Sequence, residues 1–253
     1  MRRIALIALA GALLMAATGG VALAKYFDGT AGDDQITGTP RPDGIWGEDG
    51  DDHLTGLAGN DYLEGGPGAD TIAAGRGDDL AIGGSGNDHI QLGAGNDVTY
   101  AGPDDDEVLG EAGDDVLLGQ SGDDRLYGGP GADRLYPGGG IDYADGGAGP
   151  DQIFAGSGTS QLVGGQGNDT IEGQAGTFTV DGGAGKDKIT LGAGNDRVVG
   201  GTGHDTISSG DGTDRIDVDD GQRDKVDCGG GVDIVMADRS DVLKNCETVA
   251  RKR

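Results

Sequence analysis

The sequence predicts an all-β solenoid, on three observations. A nine-residue pattern repeats without insertion or deletion across residues 29–217, in 21 copies. Its sixth position is Asp in 19 copies, failing only at Ser160 and Phe178, and its fourth is Gly in 19, failing only at Arg41 and Asp104. Its eighth position is apolar in 20, failing only at Thr99. A fixed short period means stacked units that bury a continuous core only by packing on their neighbours. The Gly-rich positions one to six read as a turn, because Gly takes positive φ freely. Positions seven to nine read as a short strand. With position eight inward, positions seven and nine point outward.

The elements follow in order. Residues 1–24 read as a secretory signal peptide: Arg2 and Arg3 start it, an apolar segment runs over 4–17, and Ala22-Leu23-Ala24 offers a cleavage site before Lys25. The apolar run is short for a membrane anchor. No Cys lies near the cleavage site, so no lipid anchor is expected there. Residues 25–28 are an N-terminal cap, and residues 29–217 are the repeat. Residues 218–253 are a capping segment. There the frame slips by one residue at Val218, Asp224 and Asp233 keep the spacing, and the glycines fade through Ala237-Asp238-Arg239-Ser240-Asp241. Terminal repeats of a solenoid are atypical because they close an open end.

The formal charge is −27. Removing residues 1–24 takes away Arg2 and Arg3 and leaves 16 basic against 45 acidic residues, or −29. Such a chain is no partner for nucleic acid or an anionic membrane surface, since phosphate binding needs basic patches. The acids are spaced evenly rather than gathered in a tail, which points to ligands. A turn that curls its carbonyls inward and adds an Asp oxygen makes the hard, all-oxygen shell that calcium prefers.

Copies such as Gly56-Leu57-Ala58-Gly59-Asn60-Asp61-Tyr62-Leu63-Glu64 and Gly83-Gly84-Ser85-Gly86-Asn87-Asp88-His89-Ile90-Gln91 resemble the calcium-binding nonapeptide of RTX, or haemolysin-type, proteins, G-G-x-G-x-D-x-U-x. One such hexamer would be weak evidence; the resemblance here covers 189 of 253 residues in frame. It implies a parallel β-roll in which two nonapeptides make one coil, loops 18 residues apart stack, and calcium sits between stacked loops. Roughly 19 such inter-loop spaces are available, and about 14 to 15 dications would cancel −29. The ligand set so implied on the odd-numbered copies is Asp34, Asp52, Asp70, Asp88, Asp106, Asp124, Asp142, Asp196 and Asp214. On the even-numbered copies it is Asp61, Asp79, Asp97, Asp115, Asp133, Asp151, Asp169, Asp187 and Asp205. The second copy, Thr39-Pro40-Arg41-Pro42 before Asp43, is degenerate, and Asp43 stays outside the set. With one core side chain per copy and heavy charge repulsion, the metal-free chain is expected to be largely disordered and to fold on calcium.

Copies fifteen and seventeen, with Ser160 and Phe178 at position six, are both odd and stack on one another. A calcium-poor gap is expected there, with the even row intact through Asp151, Asp169 and Asp187. Drift in a redundant array explains the gap more simply than a hinge. The tail is similar to the ending of RTX-like secreted proteins of actinobacteria. Its Cys228 and Cys246 stand 18 residues apart, one coil in the family's geometry, and a disulfide between them is expected in an oxidising compartment. Two free thiols and intermolecular pairing are the alternatives.

No catalytic constellation emerges. There is no HExxH zinc motif. Gly182-Gly183-Ala184-Gly185-Lys186-Asp187 imitates a phosphate loop but has Asp187 where Ser or Thr is required. Gly119-Gln120-Ser121-Gly122-Asp123 lacks the second Gly of a nucleophile elbow. His53, His89 and His204 read as solvated. In Asp78-Asp79 and Asp114-Asp115 the first acid faces solvent and the second is the position-six residue. The outward positions of the odd sheet are mixed and polar. Those of the even sheet carry Leu80, Ile82, Val98, Tyr100, Val116, Leu118, Tyr136 and Phe154, with Tyr62 and Trp46 below. Such a stripe is either an interaction surface, for self-association or a docked partner, or a cross-strand ladder. The leading expectation is a secreted, extracellular, non-enzymatic calcium-binding protein with a structural or adhesive role. A cytolysin-like toxin fragment and a carbohydrate-active RTX protein are the alternatives.

Overall fold

The computed structural model describes residues 25–251. Its strands form two long parallel sheets and one small two-stranded piece, with no helix among the described residues. The 13-stranded sheet starts at Lys25–Asp28 and takes the strands of the even copies; the 14-stranded sheet starts at Gln35–Thr37 and takes those of the odd copies. Each residue pairs with the one 18 further on, Tyr62 with Leu80 on one sheet and His53 with Thr71 on the other. Two copies therefore make one coil, and the chain forms the parallel β-roll that the repeat implies. The expected signal peptide lies outside the described residues. Residues 25–28, expected as a cap, form a strand that pairs with Asp43–Trp46.

The core is a column. Position-eight side chains such as Leu54, Leu63, Ile72, Ile90, Leu117 and Leu126 are fully buried, and Thr99 takes the same place. Position one also faces inward, which the consensus Gly conceals. Where it is not Gly, as at Ala74, Leu92, Ala101, Ala155 and Leu191, the side chain joins the core. At copies fifteen and seventeen the turn is replaced by extended chain. Gly158–Gln166 and Gly176–Gly185 run straight through the loop positions, pairing Ser160 with Phe178. Phe178 is buried. A Cβ on Gly173 would lie 2.7 Å from its ring and 3.0 Å from Leu191, so these three pack together. The gap is thus filled by apolar packing rather than left as a void.

Positions two and four differ in how strictly they need Gly. Position two has φ near the ordinary left-handed region, and Glu48, Leu57, Glu111 and Gln120 occupy it at φ 75, 84, 70 and 82. Position four takes one such residue, Asp104 at φ 79, and elsewhere reaches values such as 143° at Gly113, outside the range of L-residues. A Cβ on Gly113 would also lie 1.5 Å from the carbonyl oxygen of Gly95. Gly113→Ala is expected to destabilise the calcium-loaded roll by about 3 kcal/mol or more. Glu111→Gly is expected to be neutral or stabilising by about 1 kcal/mol, because it relieves a left-handed L-residue. Guanidinium unfolding in saturating calcium compares the two, and equal effects would contradict the account.

The capping segment continues both sheets, with changed coil lengths. Thr206 pairs with Lys225, Lys225 with Val242, and Ile234 with Thr248. The step thus goes from 18 residues to 19, 17 and 14. Cys228 and Cys246 form a disulfide across these last coils, with Cα atoms 5.3 Å apart. It ties the end of the roll, where fraying would start.

The even-sheet stripe screens itself. Tyr26 stacks on Trp46 at 5.8 Å, Trp46 meets Tyr62 at 5.3 Å, and Tyr136 stacks on Phe154 at 5.1 Å. Tyr62 and Leu80 are buried although they point outward, and the remaining members are half-buried. This geometry supports a cross-strand ladder, which stabilises the sheet from outside. Leu118→Ser with Tyr136→Thr is expected to lower the thermal midpoint of the calcium form and leave its mass by light scattering unchanged. A mass that halves would establish self-association through this face instead.

Candidate metal site

Two columns of carboxylates run the length of the roll, one at each edge. The turn places the position-six Asp just before the strand, so its side chain enters the space between coils. On the even edge each backbone N–H donates to Oδ1 of the Asp one coil on. The chain of bonds starts at Asp43 and passes through Asp61, Asp79, Asp97, Asp115 and Asp133. It continues through Asp151, Asp169, Asp187, Asp205 and Asp224 to Asp241 without a break. On the odd edge it runs from Asp34 through Asp52, Asp70, Asp88, Asp106 and Asp124 to Asp142. There it stops. It resumes where the Phe178 N–H meets Asp196 and goes on through Asp214 to Asp233.

Oδ1 is therefore occupied, and Oδ2 is left inside. At Asp52, Asp61, Asp70, Asp79, Asp88, Asp97, Asp106, Asp115, Asp124 and Asp133 it is buried with no hydrogen-bond partner. The same holds at Asp151, Asp169, Asp187, Asp196, Asp205, Asp214, Asp224 and Asp233. The surroundings are other oxygens. A Cβ on Gly65 would lie 2.2 Å from Asp70 Oδ2 and 2.6 Å from the carbonyl oxygen of Gly83. On Gly83 it would lie 2.3 Å from Asp88 Oδ2 and 2.4 Å from that of Ala101. The carbonyls of positions two and four also point along the axis: Glu48 O and Gly50 O lie 2.0 and 1.9 Å from where Cβ atoms of Gly66 and Gly68 would be.

The ends of the columns differ. Asp34 Oδ2 accepts the N–H and hydroxyl of Thr30, and Asp43 Oδ2 those of Thr39. Asp142 Oδ2 accepts the Ser160 hydroxyl at 3.3 Å, and Asp241 Oδ2 accepts the Asp238 N–H. So the Ser160 hydroxyl closes the first odd segment. Asp142, expected as a ligand from the resemblance, has both carboxylate oxygens engaged, and Asp34, expected likewise, has its Oδ2 taken by Thr30. Asp43, left out, stands in the column with a buried, unpartnered Oδ1. Asp224 and Asp233 also belong to the columns. The spacing across the frame slip was the available signal for both.

A second ladder runs outside the first with opposite polarity. Position-five Asp and Asn side chains accept the N–H of the residue one coil on: Asp78 from Asn96, Asp114 from Ala132, Asp105 from Asp123. The first acids of Asp78-Asp79 and Asp114-Asp115 are thus exposed but not idle. His89 pairs with Glu107 at 2.9 Å, and His204 Nδ1 lies 3.1 Å from the Arg223 carbonyl oxygen.

Burial is the leading influence on these carboxyls and raises their pKa. Asp79 is pushed up to about 8, Asp88, Asp106, Asp115, Asp151 and Asp187 to about 7, and Asp61, Asp70, Asp97, Asp124, Asp133 and Asp196 to about 6. The incoming N–H opposes the shift, and at most of these sites neighbouring carboxylates add to it. Columns of ionised, buried, like-charged groups are costly unless compensated.

A hard dication bound through oxygen supplies that compensation, and the donors present fit calcium. Among the described residues no three His, Cys, Asp or Glu side chains converge on one point. The shell therefore has to be built from few carboxylates and several backbone carbonyls, which the stacked turns provide. Among the described residues no helix is long and apolar enough to cross a membrane.

Comparison with known proteins agrees with this geometry. No curated protein matches the chain. The family profile of the RTX calcium-binding nonapeptide repeat, four copies long, matches overlapping windows that together span residues 28–224. The carboxylate columns lie inside that span almost entirely, and on both grounds the chain belongs to the family of RTX calcium-binding nonapeptide-repeat proteins.

Proposed function

We propose that this calcium-binding repeat protein is exported, folds outside the cell when it meets calcium, and serves there as a non-catalytic structural or adhesive module. The observation that carries the proposal is the pair of columns of buried Oδ2 atoms without partners. They need a cation along nearly the whole length of the roll, and millimolar extracellular calcium is a suitable source. The Cys228–Cys246 disulfide supports an oxidising destination, and residues 1–24 have the composition of an export signal. A non-catalytic role is supported by the commitment of the acids. Asp78 accepts a backbone N–H in the outer ladder and Asp79 one in the inner, so the adjacent pair is held in structural bonds.

Expression in a secreting host tests export and loading together. The medium is expected to contain a chain beginning at Lys25, with many calcium ions per molecule by elemental analysis after gel filtration. A chain retained inside the cell with residues 1–24 intact would contradict export. A chain that leaves the column with no calcium would contradict the proposed function as a whole.

A further inference from the structure

The interruption of the odd column coincides with a concavity. A cavity of about 590 Å³ lies along the odd edge of the roll, within the ~300–1,000 Å³ usual for ligand sites. Its lining runs from Asp105 through Asp123, Ile141 and Thr159 to Thr179. These residues belong to five successive odd copies, so the trough extends about 19 Å along the axis at ~4.8 Å per coil. Regular turns wall its lower part. The straight segments Gly158–Gln166 and Gly176–Gly185 wall its upper part.

The chemistry of the lining differs from the rest of the roll. Tyr127 and Tyr143 both contribute, with ring centroids 5.4 Å apart. Ile141 stands 65% exposed at a position where neighbouring odd copies carry Asp105 and Asp123. Arg125 lines the site and makes no ion pair among the described residues. Asp105 and Asp123 each use Oδ1 in the outer ladder, which leaves Oδ2 facing solvent for other work. Thr159, Gln161 and Thr179 add neutral donors and acceptors.

We propose that this trough binds a neutral oligosaccharide. An anion would meet the lining carboxylates. A bare cation would meet the Arg125 guanidinium. A chain of hydroxyl-bearing rings suits what is present. Aromatic and aliphatic faces pack against C–H surfaces; carboxylates, a guanidinium, amide and hydroxyl groups take the hydroxyls. The inference rests on the proposed function only for the calcium-filled fold.

Calorimetric titration of the full calcium-loaded chain tests it, with cellotetraose, laminaritetraose and mannotetraose as probes and a tetragalacturonate as the anionic counterpart. At least one neutral tetrasaccharide is expected to bind. Tyr127→Ala and, separately, Arg125→Gln should each weaken it about tenfold, while Tyr136→Ala on the other sheet should not. Circular dichroism in calcium checks that each variant keeps the roll. A chain that fails to fold on calcium would show it before sugar is added, which separates the two failures. No binding of any neutral probe, binding of the uronate alone, or binding unchanged in Tyr127→Ala and Arg125→Gln would each overturn the proposal.

Discussion

Chelation is expected to unfold this chain. At neutral pH, removal of calcium should abolish most of the β signal in circular dichroism, and returning calcium should restore it. The cause is the pair of carboxylate columns. Asp61, Asp79, Asp97 and Asp115 lie one above another, each with Oδ2 buried and unpartnered. Without cations the stack must desolvate negative charge coil after coil, and the slender core of position-eight residues is the main opposing force. Ligand binding to the folded state alone stabilises it by about 2.7 kcal/mol per site at a hundredfold excess over Kd. Because many sites act on one roll, the sum is large compared with the usual net stability of a domain, about 5–15 kcal/mol. Each coil touches only its neighbours, so the transition should propagate along the roll. Magnesium should restore little. It demands a small octahedral shell and sheds water reluctantly, whereas stacked turns offer larger, irregular sets of carbonyls. A chain equally ordered with and without calcium would remove the physical basis of the proposed function.

The second large effect is an opposite response of the two forms to acid. In the metal-free roll Asp79 is pushed up to about 8, Asp115 and Asp187 to about 7, and Asp133 to about 6, from an ordinary value of 3.8. The folded state then holds more protons than the unfolded state between about pH 4 and these values. Its stability falls as pH rises through that window and is greatest below it. Dialysed, calcium-free protein is therefore expected to gain β structure as pH falls from 8 to 4.5. In the loaded form protons compete with calcium for the same carboxylates, so the calcium concentration at half-folding should rise over the same change. Circular dichroism at pH 8, 6 and 4.5, with and without calcium, reads both arms. Metal-free protein that stays disordered at pH 4.5, or a calcium midpoint that does not move, would show that burial is not what sets these carboxyls.

The unbroken period specified a solenoid, and its resemblance to the RTX nonapeptide supplied the coil of two copies that makes it a roll. The inner column was legible for the same reason: position six recurs at the same point of every turn, so its carboxylates had to stack. The cysteine pair was legible at one coil's spacing. What escaped depends on contacts between coils that no single copy encodes. Asp43 looked doubtful behind Pro40 and Pro42, yet its stacked neighbour Asp61 takes its N–H as elsewhere. Ser160 looked like a lost ligand, yet its hydroxyl closes the odd segment at Asp142. Phe178 looked like a gap, yet it fills the core beside Gly173 and Leu191.

By itself the sequence determined a stacked solenoid and the hard oxygen chemistry of its turns, since a strict nine-residue period repeats one carboxylate at one point of every unit, and the resemblance to RTX repeats added the two-copy coil with its two carboxylate edges. Only the tertiary structure decided which carboxylates keep a free oxygen, which are closed by Thr30, Thr39 or Ser160, and where the turn gives way to straight chain and opens a trough. The Thr30 and Thr39 closures turn on hydrogen bonds four residues apart within one copy, whereas the Ser160 closure and the trough turn on residues a coil apart, which become neighbours only when the coils are laid on one another.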